Sequence, residues 1–326
     1  MEKKDTRPVA VALVGPTGVG KTEISLPLAE KLNAEIISID SMQLYRGMDI
    51  GTAKPPEEDR RKVPHHMIDI LPVTAEYTVA DYKRDAEAVM DEVLKRGKLP
   101  MLVGGTGMYL TALRYNQSYG GVSSDPAFRE EMHALAETAG GKKKLHDKLA
   151  ELNPDAAARL SENDVRRVIR ALEVARSPDG TAEERSEGKY RILAFGLTLP
   201  REILYPRIDR RTDTMISLGL ESEVHRLLLE YPVETWGSAR QAIGYKEMIE
   251  YLAGSIPKEE AIRLIQRNSR RYAKRQMTWF LRDKDIRWFD LSSYADKEDL
   301  LQALLSAIRS GLQGKGQEQG EGGTES

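Results

Sequence analysis

A glycine-rich octapeptide near the N-terminus constrains this 326-residue chain more than any other feature. Residues 15–22 read GPTGVGKT and match the pattern G-x-x-x-x-G-K-S/T. A continuous apolar run, Val9–Val14, precedes the octapeptide, as expected of a parallel strand covered on both faces, and a helical pattern follows it. This order of strand, loop and helix predicts backbone N–H groups at a helix N-terminus that bind a diphosphate or a triphosphate.

The residue types of the octapeptide suit phosphate binding one by one. Glycines let the backbone turn around an anion, Lys21 is expected to reach the terminal phosphates, and Thr22 is expected to place its hydroxyl on Mg²⁺. The residues predicted to hold the phosphates are Gly15, Pro16, Thr17, Gly18, Val19, Gly20, Lys21 and Thr22. A glycine-rich turn that binds nothing is the alternative, which the flanking strand and helix disfavour.

Strand and helix patterns alternate through the first third of the chain. Apolar runs at Ala34–Ile39 and 99–103 resemble the first strand, and helical patterns cover 23–32 and Val79–Lys95. This alternation predicts an α/β fold, with a P-loop NTPase-like parallel sheet flanked by helices.

An all-helical insert interrupts the predicted sheet domain. The strand signal is absent over 116–187, where apolar residues recur at helical spacing, and it returns at 192–197. The predicted organisation is a core of residues 1–115 and 188–312, a helical insert at 116–187 and a disordered tail at 313–326, which is rich in glycine, glutamine and glutamate.

Composition excludes several classes of protein. The 49 basic and 51 acidic residues give a net charge of -2, so only local clusters could attract a polyanion. The absence of cysteine excludes disulfides, thiol nucleophiles and cysteine-bound zinc, and suits a reducing cytoplasm. No apolar run approaches the ~20 residues of a membrane helix, and the charged first residues do not resemble a signal peptide. We therefore expect a cytoplasmic protein without a membrane segment.

Two polar segments are expected near the phosphates. Asp40 and Ser41 come directly after the second predicted strand, and Thr106 follows two glycines after the third. In a parallel sheet, ligands gather beyond the carboxyl ends of the strands. Asp40 could hold Mg²⁺ through water or accept a proton from a nucleophile. The alternatives are a turn aspartate that caps a short helix and, for Thr106, a helix cap.

Three clusters of basic residues occur in this slightly acidic chain. The longest lies between Ala261 and Arg282, a stretch without acidic residues that also contains Tyr272, Trp279 and Phe280. A cationic helix with aromatic side chains can pair with phosphates and stack on bases, and the alternative is a solvated helix face. The basic residues of this stretch are Arg263, Arg267, Arg270, Arg271, Lys274, Arg275 and Arg282. The other clusters are Arg166, Arg167 and Arg170 in the insert, and Arg207, Arg210 and Arg211 after the returning strand.

In combination, these segments resemble the bacterial tRNA dimethylallyltransferases, also called tRNA isopentenyltransferases. The matching segments run in family order: GPTGVGKT (15–22), DSMQLYRGMDIGTAKP (40–55), PHHMIDI (64–70), YTVADY (77–82), GGTGMYL (104–110), RRVIRALEV (166–174), QAIGYKE (241–247) and RRYAKRQMTWF (270–280). The resemblance implies transfer of a dimethylallyl group from dimethylallyl diphosphate to the exocyclic amine of the adenine 3′-adjacent to the tRNA anticodon, releasing diphosphate. It also implies Mg²⁺ as cofactor and the tRNA anticodon stem-loop as partner. We expect a monomeric enzyme.

The resemblance also implies roles for individual residues. Asp40 is the expected general base, Thr22 the ligand of Mg²⁺, and Arg207, in preference to Arg210 or Arg211, the arginine that grips the diphosphate. The residues expected to contact tRNA are Asp40, Ser41, Met42, Gln43, Thr106, Arg129, Arg166, Arg167, Arg170, Arg271, Lys274 and Arg275. The insert would bind the anticodon stem, and the target adenine would leave its stack to enter the site.

Three other functions stay open at this point. A small-molecule kinase shares the phosphate loop, Mg²⁺ and sheet, but leaves the basic stretch 261–282 without a role. Prenyl transfer to a free adenine nucleotide keeps the chemistry, and salt-sensitive tRNA binding would count against it. A non-catalytic RNA-binding module leaves the phosphate loop and Asp40 unexplained.

Overall fold

The computed structural model describes residues 5–116, 125–177 and 186–313. The chain divides into two compact units, one built from the segments before Tyr115 and after Glu187, and the other spanning Tyr115–Glu187. Apart from Gln313, the tail predicted to be disordered lies outside the described residues. In the described segments, no helix combines the length and the apolar character needed to cross a membrane.

The described residues form eight strands and thirteen α-helices. The strands are β1 (Val9–Val14), β2 (Ala34–Ile39), β3 (His65–His66), β4 (Leu99–Gly104), β5 (Tyr115–Asn116), β6 (Ser186–Glu187), β7 (Arg191–Thr198) and β8 (Arg287–Asp290). The helices are α1 (Lys21–Leu32), α2 (Glu57–Lys62), α3 (Val79–Lys95), α4 (Gly107–Arg114), α5 (Pro126–Glu137), α6 (Gly141–Leu152), α7 (Pro154–Arg159), α8 (Val165–Arg176), α9 (Arg201–Ser217), α10 (Leu220–Glu230), α11 (Tyr245–Leu252), α12 (Lys258–Phe280) and α13 (Lys297–Leu312). Short 3₁₀ helices cover Val233–Thr235, Ser238–Gln241 and Leu291–Ser293.

Six strands form one parallel sheet in the order β3-β2-β4-β1-β7-β8. Val14, the last residue of β1, lies opposite Gly104 of β4 and Gly196 of β7. Ile39, the last residue of β2, also lies opposite Gly104. The segments that follow β1, β2 and β4 therefore leave the sheet at the same edge, where the sequence predicts the phosphate loop and Asp40.

Helices cover both faces of this sheet. Val11 and Leu13 of β1 pack in one core with α1, α9 and α13, whereas Ala10 and Ala12 pack in a second core with α3 and α4. Successive side chains of a strand point to opposite faces, which is why β1 is apolar throughout. A third core joins α10, α11 and α12 to the segment after β2. The predicted α/β fold with a helix-flanked parallel sheet is confirmed.

The unit Tyr115–Glu187 packs α5, α6, α7 and α8 around its own apolar core, which includes Phe128, Leu145 and Ile169. β5 and β6 pair antiparallel within this unit and are two residues long each, too short to leave a sequence pattern. In the other unit, the N–H of Gly188 donates to the carbonyl of Arg114 at 2.9 Å, so the residues that border the insert on either side meet.

Candidate active site

The phosphate loop lies between β1 and α1, at the carboxyl edge of the sheet. Two of its glycines are required by local geometry. At Gly15, an added Cβ would lie 2.5 Å from the carbonyl oxygen of Leu197 in β7. Gly20, which caps the N-terminus of α1, has φ 104°, a left-handed conformation that side chains rarely adopt. These positions explain why the loop sequence needs glycine where the motif has it.

Lys21 is folded back onto the loop. Its Nζ donates to the carbonyls of Gly15 and Pro16, both at 2.9 Å. Burial and, to a smaller extent, the neighbouring charge of Arg211 lower the pKa of Lys21 to about 7, while Asp40 opposes the shift. Lys21 is therefore only partly protonated near neutral pH, and an anion beside it would raise its pKa and favour the charged form.

Helix α9 places two arginines over the loop. Arg211 Nη1 donates to Thr17 Oγ1 at 2.7 Å, and an added Cβ at Gly20 would lie 3.4 Å from Arg207 Nη2. Burial lowers the pKa of Arg211, and the charge of Asp40 partly offsets this. Positions four residues apart share a helix face, which brings Arg207 and Arg211 to the loop together, whereas Arg210 is exposed at its margin.

These side chains line one cavity of about 520 Å³ at the edge of the sheet. Its lining includes Lys21, Thr22, Asp40, Arg207 and Arg211, which the sequence placed in the phosphate loop, after β2 and after β7. The structure therefore brings together residues from three distant parts of the chain, four of them cationic or hydroxyl groups suited to a diphosphate and one a carboxylate.

Asp40 is half-buried directly after β2, and its side chain both accepts a hydrogen bond in a turn and lines the cavity. Its Oδ1 accepts the N–H of Met42 at 2.9 Å, which is the turn geometry considered as an alternative from the sequence. The same side chain also lines the 520 Å³ cavity. A carboxylate oxygen has more than one acceptor direction, so the turn and a proton-accepting role are compatible.

Thr106 connects the ends of two neighbouring strands. Its N–H donates to the carbonyl of Ile39 at 2.9 Å, and its Oγ1 accepts the N–H of Ser41 at 3.1 Å. Gln43 is held nearby, because its Oε1 accepts from the hydroxyl of Ser38 at 2.9 Å. The polar segment after β2 is thus fixed against the segment after β4.

A second cavity, of about 230 Å³, adjoins the first. It is lined by Ser41 and Met42 from the segment after β2 and by Arg275 from α12. Asp40 and Arg211 line both cavities. Asp40 therefore lies where a group bound on the phosphate loop and a group entering past α12 would meet.

The basic residues of α12 differ in their surroundings. Arg271 and Lys274 are exposed, and the guanidinium of Arg275 lies 5.6 Å from the ring centre of Tyr272. Arg263 pairs with Glu260 at 2.6 Å, and Arg270 pairs with Asp209 of α9. The stretch itself contains no acidic residue, but these last two are paired, because their partners lie just outside it in sequence or on another helix.

In the insert, the predicted tRNA contacts divide into two groups. Arg166 and Arg167 are exposed on α8. Arg129 and Arg170 contact the buried carboxylate of Glu173, at 2.7 Å and 2.9 Å. Burial alone would raise the pKa of Glu173, but the hydrogen bonds from both arginines outweigh it and hold the pKa at about 2. Arg129 thus joins α5 to α8, whereas Arg170 pairs with Glu173 within α8.

Two residues that hold loops of the site, Glu223 and Gln276, were not predicted from the sequence. Glu223 of α10 is buried, and it accepts the N–H groups of Asp49, Ile50 and Gly51 at 2.8–3.2 Å. Gln276 of α12 contacts the phosphate loop. Each is one of many polar residues on an amphipathic helix, and its hydrogen-bond partners lie far away in sequence. Local sequence pattern therefore does not distinguish it from its polar neighbours.

A parallel sheet with a phosphate loop at its carboxyl edge, and a carboxylate in the wall of the cavity beside that loop, defines an α/β protein with a ligand site at that edge. The family model described as IPP transferase matches residues 43–284. The tRNA dimethylallyltransferase of Pelotomaculum thermopropionicum is 46% identical over 309 residues, covering 93% of this chain and 98% of the relative. The chain belongs to the IPP transferase family, that of the tRNA dimethylallyltransferases.

Solved structures agree with this assignment. The tRNA isopentenylpyrophosphate transferase of Bacillus halodurans superposes with a TM-score of 0.71 at 43% identity, covering 94% of this chain and 97% of that one. A eukaryotic dimethylallyltransferase solved acting on tRNA gives a TM-score of 0.77 at 27% identity, covering 96% of this chain and 81% of that one.

Proposed function

We propose that this enzyme transfers a dimethylallyl group from dimethylallyl diphosphate to the exocyclic amine of the adenine 3′-adjacent to the anticodon of tRNA. The observation that carries the proposal is that Asp40 lines the same cavity as Lys21, Arg207 and Arg211. Family membership sets aside the kinase, and the names of the relatives favour tRNA over a free nucleotide as acceptor.

The chemistry follows from this arrangement. Asp40 accepts a proton from the adenine amine while the nitrogen forms a bond to C1 of the donor and the bond from C1 to the diphosphate oxygen breaks. The diphosphate leaves with both electrons of that bond. Loop N–H groups, Lys21 and the two arginines stabilise its growing negative charge.

Mg²⁺ is the proposed cofactor. Mg²⁺ is usually held by one or two protein groups together with substrate phosphates and water. Thr22 has an exposed position on the cavity wall and supplies the hydroxyl oxygen such a site needs. Among the described residues there is no cluster of three or more histidine or carboxylate ligands that would hold a metal without substrate. Bound Mg²⁺ would screen the charge of the leaving diphosphate.

Two separate sets of exposed cations, one on α12 and one in the insert, are the proposed tRNA contacts. Arg271 and Lys274 pair with backbone phosphates, while Arg275 lines the second cavity, where the extruded adenine enters. Arg166 and Arg167 hold the anticodon stem. We further propose that the enzyme works as a monomer in the cytoplasm, which sedimentation and cell fractionation would test.

A labelling experiment tests the reaction. The protein is incubated with labelled dimethylallyl diphosphate, Mg²⁺ and bulk tRNA, and the tRNA is digested to nucleosides. We expect the label in one modified adenosine and none when free AMP replaces tRNA. Label in free nucleotides only, or no transfer at all, would overturn the proposal.

Asp40→Asn tests the role of the base. Asparagine keeps the oxygen that accepts the Met42 N–H, so the turn survives while the proton acceptor is lost. The single-turnover rate should fall by about 10²–10⁴-fold, with tRNA affinity nearly unchanged. Asp49→Asn is the matched control, because Asp49 is an exposed carboxylate nine residues away that contacts Lys54. An Asp40→Asn enzyme with near-normal rates would show that Asp40 is not the base.

A further inference from the structure

Gln276 connects the loop that holds the donor to the segment that faces the acceptor. It is only 5% exposed. Its Oε1 accepts the backbone N–H of Thr17 at 2.9 Å, and its Nε2 donates to the carbonyl of Gly105 at 3.0 Å. One side chain of α12 therefore joins the loop after β1 to the turn after β4.

The orientation of this carboxamide is fixed by its partners. An N–H can only donate and a carbonyl can only accept, so Oε1 must face Thr17 and Nε2 must face Gly105. The approach is close, because an added Cβ at Gly105 would lie 2.1 Å from Nε2. Gly105 is followed by Thr106, whose N–H donates to the carbonyl of Ile39 at the end of β2. Thr106 in turn accepts from the N–H of Ser41, next to Asp40.

We propose that Gln276 is a positioning residue that sets the distance between the bound diphosphate and the acceptor amine. The inference rests on the proposed function. Gln276 holds Thr17 and Gly105 at one separation and, through Thr106 directly after Gly105, fixes the segment that carries Asp40. Displacement of about 1 Å between reacting groups can cost about 10²-fold in rate, so a contact remote from the bond being formed can control it.

The Gln276→Glu variant gives a distinctive test. A protonated carboxyl group can donate to Gly105 and accept from Thr17, as the amide does, but a carboxylate can only accept and would face the Gly105 carbonyl. We expect the single-turnover rate relative to wild type to be about 10²-fold low near pH 8.5 and to recover as the pH falls toward about 5.5. The KM for tRNA should stay within about twofold, because the exposed cations of α12 are unchanged.

The charged and titratable groups around the same cavity are present in both enzymes; they are Lys21, Glu23, Asp40, His65, Arg207, Arg210, Arg211 and Tyr272. The ratio of variant to wild-type rate at each pH therefore isolates the new carboxyl group. Burial and the Gly105 carbonyl raise its pKa, whereas the cations lower it.

Two further variants complete the experiment. Gln276→Met keeps the length but neither hydrogen bond, and its relative rate should be low at every pH. Gln266→Glu places the same charge change on the same helix, where Gln266 contacts Asp213 at the surface, and should behave as wild type. Thermal unfolding at each pH shows whether the variants are folded, and faster hydrogen exchange at Thr17 in Gln276→Met reports the lost bond directly.

The outcomes separate two failures. If wild type transfers no prenyl group to tRNA, the proposed function is wrong. If wild type is active but Gln276→Glu shows no recovery at low pH, or Gln276→Met keeps its rate, the positioning role of Gln276 is wrong.

Discussion

Arg207 and Arg211 lie one turn apart on α9, with Arg207 beside Gly20 and Arg211 on Thr17 of the phosphate loop. Arg210 lines the same cavity but is exposed and has no such contact with the loop among the described hydrogen bonds. The family resemblance implies one arginine on the diphosphate, but the geometry offers two. A charge-assisted contact contributes about 1.5–3 kcal/mol, or about tenfold to hundredfold in affinity.

Substitution of each arginine by glutamine should therefore separate them. We expect kcat/KM for the prenyl donor to fall by about tenfold to hundredfold in Arg207→Gln and in Arg211→Gln, and by less than about threefold in Arg210→Gln. Steady-state kinetics with varied donor measures this. An effect confined to Arg210→Gln would mean that α9 approaches the donor from another face.

The pKa of Lys21, lowered to about 7, predicts a pH dependence of donor capture. Below that pH the free enzyme carries a charged Lys21, and above it the charge is lost, so kcat/KM for the donor should fall by roughly tenfold between about pH 7 and about pH 8.5. Lys21→Met should be low throughout and lack this inflection. The same inflection in Lys21→Met would assign it to another group.

At the scale of single elements, α10 anchors the loop between β2 and α2 through Glu223. This one buried carboxylate accepts three backbone N–H groups and the hydroxyl of Tyr245. The loop it holds carries Gly51 and Thr52 into the wall of the second cavity. Stability and site geometry are therefore coupled at this helix.

Glu223→Gln tests that coupling. The amide nitrogen would face N–H or hydroxyl donors in a buried site, so the free energy of unfolding should fall by about 3 kcal/mol. Glu221→Gln is a control on the same helix, since Glu221 pairs with Lys258 in a partly exposed salt bridge, and should cost less than about 1 kcal/mol. Urea unfolding followed by circular dichroism compares them. Equal losses would show that Glu223 acts as an ordinary surface charge.

The elements differ in how far the sequence predicts them. β1, β2 and α3 are predicted with the observed ends, because they are long, strongly patterned and bounded by glycine, asparagine or a capping box. β8 has four residues and buries only Phe289, and β3 consists of two histidines, so neither leaves a pattern.

The same limit applies to the site. The phosphate loop and Asp40 are local in sequence and follow predicted strands, so their shared edge could be inferred. Gln276 is separated from Thr17 by 259 positions, and on its own helix it resembles any polar residue. Contacts of this kind depend on how α12 packs across the sheet, which local pattern does not encode.

At the scale of the whole molecule, the two compact units have separate cores and separate proposed tasks. In the insert, Arg129 and Arg170 are engaged by the buried Glu173, whereas Arg166 and Arg167 are exposed on α8. Arg167 also pairs with Asp164 at the surface, at 3.1 Å. Loss of two contacts between arginine and phosphate should reduce the steepness of log K against log salt by about two.

Replacing Arg166 and Arg167 together by alanine should therefore weaken tRNA binding. The slope of log K against log salt should become less steep by about two, with KM for the donor unchanged. Filter binding over a salt series measures this. Lys142 and Lys144, exposed at the start of α6, provide a double-alanine control of equal charge. If both pairs have the same effect, the insert attracts tRNA only through its overall charge.

The hydrogen bond from Gly188 to Arg114 has a consequence for how the chain reaches its native state. It joins two segments that the whole insert separates in sequence, just before β7, the strand that pairs with β1. Closing a long flexible loop costs conformational entropy. An insert that has already folded around its own core, with β5 paired to β6, holds its two ends side by side and lowers that cost. Early folding of the insert would thus keep the two segments on either side of it close together and speed folding of the unit that they form.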